Sequence, residues 1–251
     1  MGSMISRCWW VGPLLAMLAA CGKDARQPGT PLSTVPASGR GRVVFLGTSL
    51  TAGYGLDASQ AYPALIQQKI DSAGLPFEAV NAGVSGETSA GALRRIDWLL
   101  QQPLTVLVVE TGANDGLRGQ NVDSLKANIQ AIIDRANALK PRPRIVLVGM
   151  RMLTNYGPGY IGRFARIYPE LAKRNDLPLV PFLLDGVAGV DSLNQADAIH
   201  PTAAGQRRLA QTVWRTLEPV LQQARKSAQA PDSARISASV ATAISISSVV
   251  L

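Results

Sequence analysis

Short apolar runs alternate with amphipathic segments along most of the chain. Short runs rich in apolar residues predict strands at 43–46, 77–81, 104–109, 145–148 and 177–183. The run at 43–46 is continuously apolar and the run at 104–109 is nearly so, and both predict buried strands. Apolar residues at helical spacing predict helices at 61–73, 87–100, 122–139 and 202–223, and a further helix reaching Arg174. Residues 151–160, which include Asn155, Gly157, Pro158 and Gly159, fit neither pattern and predict a long loop.

Strands that alternate with helices in this rhythm form βαβ units with right-handed crossovers. Such units build a parallel sheet that is covered by helices on both faces. The pattern therefore predicts an α/β protein with a flavodoxin-like three-layer α/β/α sandwich and a parallel sheet of about five strands.

The first strand ends abruptly at a glycine-rich turn. Gly47, Gly53 and Gly55 permit tight or left-handed backbone turns, so Thr48 and Ser49 are expected just beyond the carboxyl end of the strand. Open α/β sheets bind their ligands at this edge. Ser49 is therefore a candidate nucleophile, although most serines after a strand only cap a helix or close a turn.

The two ends of the chain differ from the middle in composition. Residues 1–21 combine Arg7, an apolar run at 9–18 and the sequence Leu-Ala-Ala-Cys ending at Cys21. This box resembles the lipobox of bacterial lipoproteins, which implies cleavage before Cys21 and its acylation; the alternative is an ordinary signal peptide. Residues 22–41 predict a flexible tether. Residues 224–251 predict a low-complexity, disordered tail, with an added edge strand as the alternative.

Charge and cysteine usage exclude two classes of function. Most of the formal net charge of +8 lies outside the middle of the chain, where residues 42–219 carry 18 basic and 15 acidic side chains. Without a basic cluster among aromatics, a nucleic-acid partner is not expected. The only cysteines, Cys8 and Cys21, lie in the leader, which excludes a thiol nucleophile or cysteine metal site in the mature domain.

His200 is the only histidine, so any mechanism that needs an imidazole must use it. Asp197 lies three residues earlier, close enough in sequence to orient the ring and stabilise its protonated form. Donors for an oxyanion are available in the backbone N–H groups of Ser49 and Gly86 and in the side-chain amide of Asn114. The alternatives are that His200 is a loop residue without a role and that Asn114 is a turn residue.

Four sequence blocks in order carry a family resemblance over residues 42–223. They are Gly-Thr-Ser-Leu around Ser49, the glycine loop ending at Gly86, Gly-Ala-Asn-Asp around Asn114, and Asp-Ala-Ile-His ending at His200. The chain resembles the SGNH (GDSL-type) hydrolases, and within them a bacterial periplasmic subgroup with acyl-CoA thioesterase, lysophospholipase and arylesterase activities.

The resemblance implies a serine esterase that acts through an acyl-enzyme on Ser49, with His200 as base and Asp197 as its orienting group. It implies no metal or cofactor. Together with the lipobox-like leader, it implies a place on the periplasmic side of the bacterial envelope, lipid-anchored at Cys21. The loop after the fourth strand is expected to line an acyl groove, through Met150, Arg151, Met152, Leu153, Asn155 and Tyr156. A carbohydrate O-acetylesterase of the same fold and an inactive substrate-binding lipoprotein are the alternatives.

Thr48 departs from the family pattern, which places an aspartate before the serine. A threonine hydroxyl forms hydrogen bonds but carries no charge, so the turn holding Ser49 is expected to lack carboxylate-centred bonds to backbone amides. On this hypothesis, a Thr48→Asp variant is modestly faster or more stable than the native protein, provided that those amides are free.

Overall fold

The computed structural model describes residues 39–152 and 156–229 of the 251-residue chain. One parallel sheet contains five strands in the order β2-β1-β3-β4-β5, which confirms the predicted fold class. The strands are β1 (Gly41–Gly47), β2 (Phe77–Gly83), β3 (Val106–Glu110), β4 (Arg144–Val148) and β5 (Leu179–Val180).

Helices cover both faces of this sheet. They are α1 (Ser49–Ala52), α2 (Tyr62–Ser72), α3 (Ser89–Leu99), α4 (Ala113–Leu117), α5 (Val122–Asn137), α6 (Pro158–Asn175) and α7 (Ala203–Gln229). On one face α2 packs against α7, and on the other α5 packs against both α3 and α6. In the part of the chain that the structure describes, none of these helices combines the length and apolar character needed to cross a membrane.

The two central strands position the site. β1 lies between β2 and β3, with Leu46 beside Ala82 of β2 and Val109 of β3. The last residues of β1 and all of β3 are buried, as the apolar runs predicted. Because parallel strands end at the same edge, the loops that carry Ser49, Gly86 and Asn114 all leave the sheet at its carboxyl edge.

Three predicted elements differ from those observed. The fifth strand was expected at 177–183 but is confined to Leu179–Val180, because Pro178 and Pro181 on either side have no N–H to donate to a ladder. The predicted loop at 151–160 ends earlier, since α6 begins at Pro158, a residue suited to the first helical turn. The segment after β3, for which the sequence pattern predicted no helix, forms the short helix α4.

The predicted domain ends also need correction. Helix α7 continues beyond residue 223 to Gln229, so the predicted tail does not begin at 224. The side chain of Ala224 is buried, and Arg144 of β4 donates hydrogen bonds to Gln223 and Ser227. At the other end, the predicted tether reaches residue 41, but Gly41 already belongs to β1. The leader, most of the tether and residues 230–251 lie outside the described residues.

These contacts predict that truncation after Gln223 lowers the melting temperature without abolishing catalysis. The shortened chain loses the burial of Ala224 and the Arg144–Ser227 hydrogen bond, and such a bond contributes about 1 kcal/mol net. For a domain of this size each lost kcal/mol lowers the midpoint by about 2–4 °C. Truncation after Gln229 retains both contacts and is the control. Equal midpoints for the two truncated proteins would contradict the prediction.

Candidate active site

Ser49 is the first residue of α1, directly after the tight turn that ends β1, and the residue is only 8 % exposed. Thr48 caps the short helix through its side-chain oxygen. The turn requires glycine at position 47, because a Cβ there would lie 2.0 Å from the Thr51 hydroxyl oxygen and 2.8 Å from a Glu110 carboxylate oxygen. Dense packing behind the turn therefore holds the serine at the edge of the sheet.

His200 joins Ser49 to Asp197. The Nε2 atom of His200 lies 2.9 Å from Ser49 Oγ, and its Nδ1 atom lies 2.6 Å from Asp197 Oδ2. The other Asp197 oxygen accepts the backbone N–H groups of Ile199 and His200, each at 2.9 Å. The hydrogen bond from the His200 ring, followed by these backbone bonds, lowers the pKa of Asp197 to about 2.

An ionised Asp197 only accepts hydrogen bonds, so it selects the tautomer in which Nδ1 carries the proton. The Nε2 atom of His200 is then free to accept the proton of Ser49 Oγ. The predicted spacing of Asp197 and His200 thus brings both to the candidate nucleophile, although they come from a loop 151 residues away from Ser49 in sequence.

Tyr54 contacts the imidazole and was not predicted as a site residue. Its ring lies 4.6 Å from the His200 ring, centroid to centroid, with a tilt of 40°. Its carbonyl oxygen accepts from the Gln195 side chain, 2.8 Å away, which ties the Ser49 turn to the His200 loop. An aromatic residue between Gly53 and Gly55, beside the candidate serine, was the available signal in the sequence.

Two of the predicted oxyanion donors, Gly86 and Asn114, lie in the segments that follow β2 and β3. Gly86 has φ +76°, in the left-handed region that favours glycine. Asn114, in the first turn of α4, donates from Nδ2 to the Glu87 carbonyl oxygen at 3.0 Å, which leaves its second N–H free for a ligand. Neither the Ser49 N–H nor the Gly86 N–H has a hydrogen-bond acceptor within the described residues.

A buried carboxylate connects the Gly86 loop to α4. Asp115 accepts from both the backbone N–H and the hydroxyl of Ser89, at 2.8 and 2.6 Å, at the first residue of α3. Asn128 of α5 donates to the same hydroxyl. The contact places Asn114 beside the loop that carries Gly86. Asp115 belongs to the Gly-Ala-Asn-Asp block, so its position in the sequence was a usable signal.

The predicted lack of a carboxylate behind Ser49 is wrong. Glu110, the last residue of β3, is completely buried and accepts the backbone N–H of Thr48 at 2.7 Å. It also accepts the hydroxyls of Thr48 and Thr51, and Tyr62 bonds to the latter. Burial raises the pKa of Glu110, and the bonds from Thr48 and Thr51 oppose that shift. Glu110 thus supplies the carboxylate that we expected to be missing.

The residues predicted to line an acyl groove differ in their surroundings. Met150 is buried in the hydrophobic core, which does not fit its predicted place along an open groove. Arg151 is exposed, with its guanidinium 5.0 Å from the centroid of the Phe182 ring. The Met152 sulfur packs directly on Gly116, and the Tyr156 hydroxyl donates to the Leu117 carbonyl at 2.5 Å.

Met152 and Tyr156 therefore flank the end of α4, beyond Asn114. Leu153 and Asn155 lie outside the described residues, so their assignment to the groove stays a prediction. Within residues 39–152 and 156–229, no three side chains of His, Cys, Asp or Glu lie close enough together to bind a metal ion.

The site contains a serine, an imidazole and a carboxylate in hydrogen-bond contact, together with backbone N–H groups that have no acceptor within the described residues. This combination is typical of α/β serine hydrolases. The comparison with known families agrees. The chain belongs to the GDSL-like Lipase/Acylhydrolase family, whose pattern matches residues 45–208. This confirms the predicted family and makes the protein an SGNH-type hydrolase.

Individual relatives are similar over most of their length. The chain is 43 % identical to Esterase TesA of Pseudomonas aeruginosa over 71 % of this chain and 89 % of the relative. It is 38 % identical to Thioesterase 1/protease 1/lysophospholipase L1 of Escherichia coli, over 76 % and 89 %. A crystal structure of TesA superposes with a TM-score of 0.68, at 41 % identity, over 71 % of this chain and 99 % of that one.

The Glu110 contacts reverse the expectation for Thr48→Asp. The Thr48 amide is already bonded, so a new carboxylate gains no free donor and lies beside a buried acid. We expect Thr48→Asp to lower the free energy of unfolding by about 2 kcal/mol and to slow catalysis. In the folded variant, the introduced carboxyl group and Glu110 should share a proton at pH values where both groups are ionised in the unfolded chain. The loss of unfolding free energy should therefore grow as pH rises from about 4 towards neutrality.

Chemical denaturation of Thr48→Asp, native protein and Thr48→Ser at two pH values tests this. Thr48→Ser keeps the hydroxyl and is the matched control. A Thr48→Asp protein that is at least as stable as the native one at neutral pH would restore the original hypothesis.

Proposed function

We propose that the protein hydrolyses carboxylic esters, and thioesters with the same chemistry, through an acyl-enzyme on Ser49. The observation that carries the proposal is the continuous contact from Ser49 Oγ through the His200 ring to Asp197, at 2.9 and 2.6 Å. Its relatives include proteins named esterase, thioesterase, lysophospholipase and arylesterase, which supports the same reaction class.

In the first half-reaction, His200 Nε2 takes the proton of Ser49 as Oγ attacks the acyl carbon. The resulting tetrahedral oxyanion accepts hydrogen bonds from the backbone N–H groups of Ser49 and Gly86 and from Asn114 Nδ2. The acyl–oxygen or acyl–sulfur bond then breaks, and the imidazolium returns its proton to the departing alcohol or thiol. Asp197 remains ionised throughout and stabilises the imidazolium.

In the second half-reaction, water takes the place of the alcohol. His200 removes its proton, the hydroxyl oxygen attacks the acyl carbon, and the same donors hold the oxyanion. Collapse returns the proton to Ser49 Oγ and releases the carboxylic acid. The proton transfers of both half-reactions run along the Ser49–His200 contact, with Asp197 bonded to the same ring.

The surroundings of the site favour an apolar acyl group. Several large hydrophobic side chains that are exposed in the described part of the chain lie on the segments that carry the proposed site residues: Tyr54, Val84, Leu117 and Ile199. Met152 and Tyr156 extend this surface beyond Asn114. A surface of this composition suits aryl or acyl chains better than a sugar, which needs many polar partners.

We predict that Ser49→Ala and His200→Ala each reduce ester turnover by about three orders of magnitude or more, because the two residues act as one unit. Asp197→Asn should be less severe, since it misorients the base without removing it. Release of p-nitrophenol from esters of increasing acyl length measures turnover, and circular dichroism controls for folding. A folded Ser49→Ala protein with native turnover would exclude the mechanism, and activity confined to acetyl esters would favour a carbohydrate O-acetylesterase.

We further propose that the protein works at the periplasmic side of the bacterial envelope, anchored through an acylated Cys21. The leader and its Leu-Ala-Ala-Cys box support this placement. Expressed in a bacterium with its leader, the native protein should fractionate with membranes and Cys21→Ser should not. Mass spectrometry of the mature N-terminus provides the direct measurement. An unmodified N-terminus other than Cys21 would show that the leader is an ordinary signal peptide.

A further inference from the structure

Glu87 is connected to both loop-borne oxyanion donors, the Gly86 N–H and the Asn114 side chain. It follows Gly86 directly, so any movement of Glu87 turns the Gly86 peptide. Its carbonyl oxygen also accepts from Asn114 Nδ2 at 3.0 Å. The positions of both donors therefore depend on where Glu87 is held.

The loop that carries Glu87 has few other contacts. Val84, Ser85 and Gly86 are exposed, and a Cβ at Gly86 would have only the end of the Arg118 side chain within 4 Å. Two backbone hydrogen bonds shape the turn, from Val84 to Gly47 and from Glu87 to Val84, and Arg118 donates to the Gly86 carbonyl oxygen at 2.9 Å. Hydrophobic packing cannot hold so exposed a glycine turn, so its side-chain anchors decide its position.

The anchor of Glu87 is Arg95, in the second turn of α3. Arg95 donates from Nε and Nη2 to the two carboxylate oxygens of Glu87, at 2.7 and 2.6 Å. Nη2 also contacts the carbonyl of Ala82, near the end of β2, at 2.8 Å, and that of Gly47 at 3.4 Å. The Arg95 and Glu87 side chains are only 20 % and 9 % exposed, so water competes little for this pair.

We propose that Arg95 is a positioning residue that sets the oxyanion hole through Glu87. Its forked guanidinium ties the Glu87 carboxylate to the carboxyl ends of β1 and β2, where Ser49 is held. It also neutralises a carboxylate that would otherwise oppose the negative charge developing at the neighbouring Gly86 N–H. Lysine cannot replace this fork, because an ammonium group does not present parallel donors to a carboxylate. The proposal rests on the function proposed above.

The test compares Arg95→Gln, Arg95→Lys, Glu87→Gln and the double variant Arg95→Gln with Glu87→Gln. Arg94→Gln is the matched control, because Arg94 is the exposed neighbouring cation on the same helix. For each protein, kcat and KM are measured on a short-chain p-nitrophenyl ester. The Ki of an alkylboronic acid, which forms a tetrahedral anionic adduct with a nucleophilic serine, reports on the oxyanion hole.

We expect Arg95→Gln to lower kcat about ten- to a hundredfold, below the loss of a direct donor, and to weaken boronate binding by a similar factor. KM should change little, because the ground-state ester makes weaker use of the hole. Arg95→Lys should lower kcat about fivefold, the equivalent of one hydrogen bond. The double variant should be more active than Arg95→Gln, because its Glu87 charge is gone. Arg94→Gln should match the native protein.

Two results would overturn the proposal: Arg95→Gln with native kcat, or a lowered kcat without weaker boronate binding. If Arg95→Gln does not fold, Arg95→Lys decides the question by the same two measurements. Ser49→Ala distinguishes this proposal from the function on which it rests. Turnover that survives Ser49→Ala refutes the esterase mechanism. If turnover depends on Ser49 but the Arg95 variants have the native kcat, only the role of Arg95 is refuted.

Discussion

The turn that presents Ser49 depends on one buried carboxylate, that of Glu110. An ionisable group without exposure to water is tolerated only when its oxygens are hydrogen-bonded, and here the donors are the Thr48 amide and the hydroxyls of Thr48 and Thr51. These donors belong to the turn that presents Ser49. The need to satisfy one buried group therefore fixes the backbone around the serine. The same packing explains why Gly47 has no room for a side chain.

The other groups of the site are held in a comparable way. Asp197 orients His200, and Tyr54 covers the imidazole ring. Arg95, acting through Glu87, and Asp115, acting through Ser89, secure the loop and helix that carry Gly86 and Asn114. Donors that are already aimed need little reorganisation when charge develops on a substrate, and preorganisation of this kind is a major source of enzymatic rate enhancement. The hydrogen bonds behind the site are thus part of its chemistry.

Thr48 shows how a substitution in a family block is accommodated. Its hydroxyl caps α1 and donates to Glu110, whereas an aspartate there would place a second acid beside a buried one. The chain belongs to its family without that aspartate, and the turn that presents Ser49 is bonded to a carboxylate from the adjacent strand. Substrate preference is a separate matter, since one fold supports many substrates through the loops at its carboxyl edge.

The sequence alone determined the features that arise from neighbouring residues. Apolar runs predicted the five strands, and the ordered blocks predicted Ser49, Gly86, Asn114, Asp197 and His200, which the structure brings to one sheet edge. Only the tertiary structure decided features that join distant segments: the Glu110 bonds to Thr48, 62 residues away, and the Arg95 contacts with Gly47, Ala82 and Glu87. The extent of α7 also depends on packing, whereas the prolines that confine β5 are visible in the sequence. Periodicity and local motifs record short-range preferences, whereas a buried charge acquires its partners only when the chain folds around it.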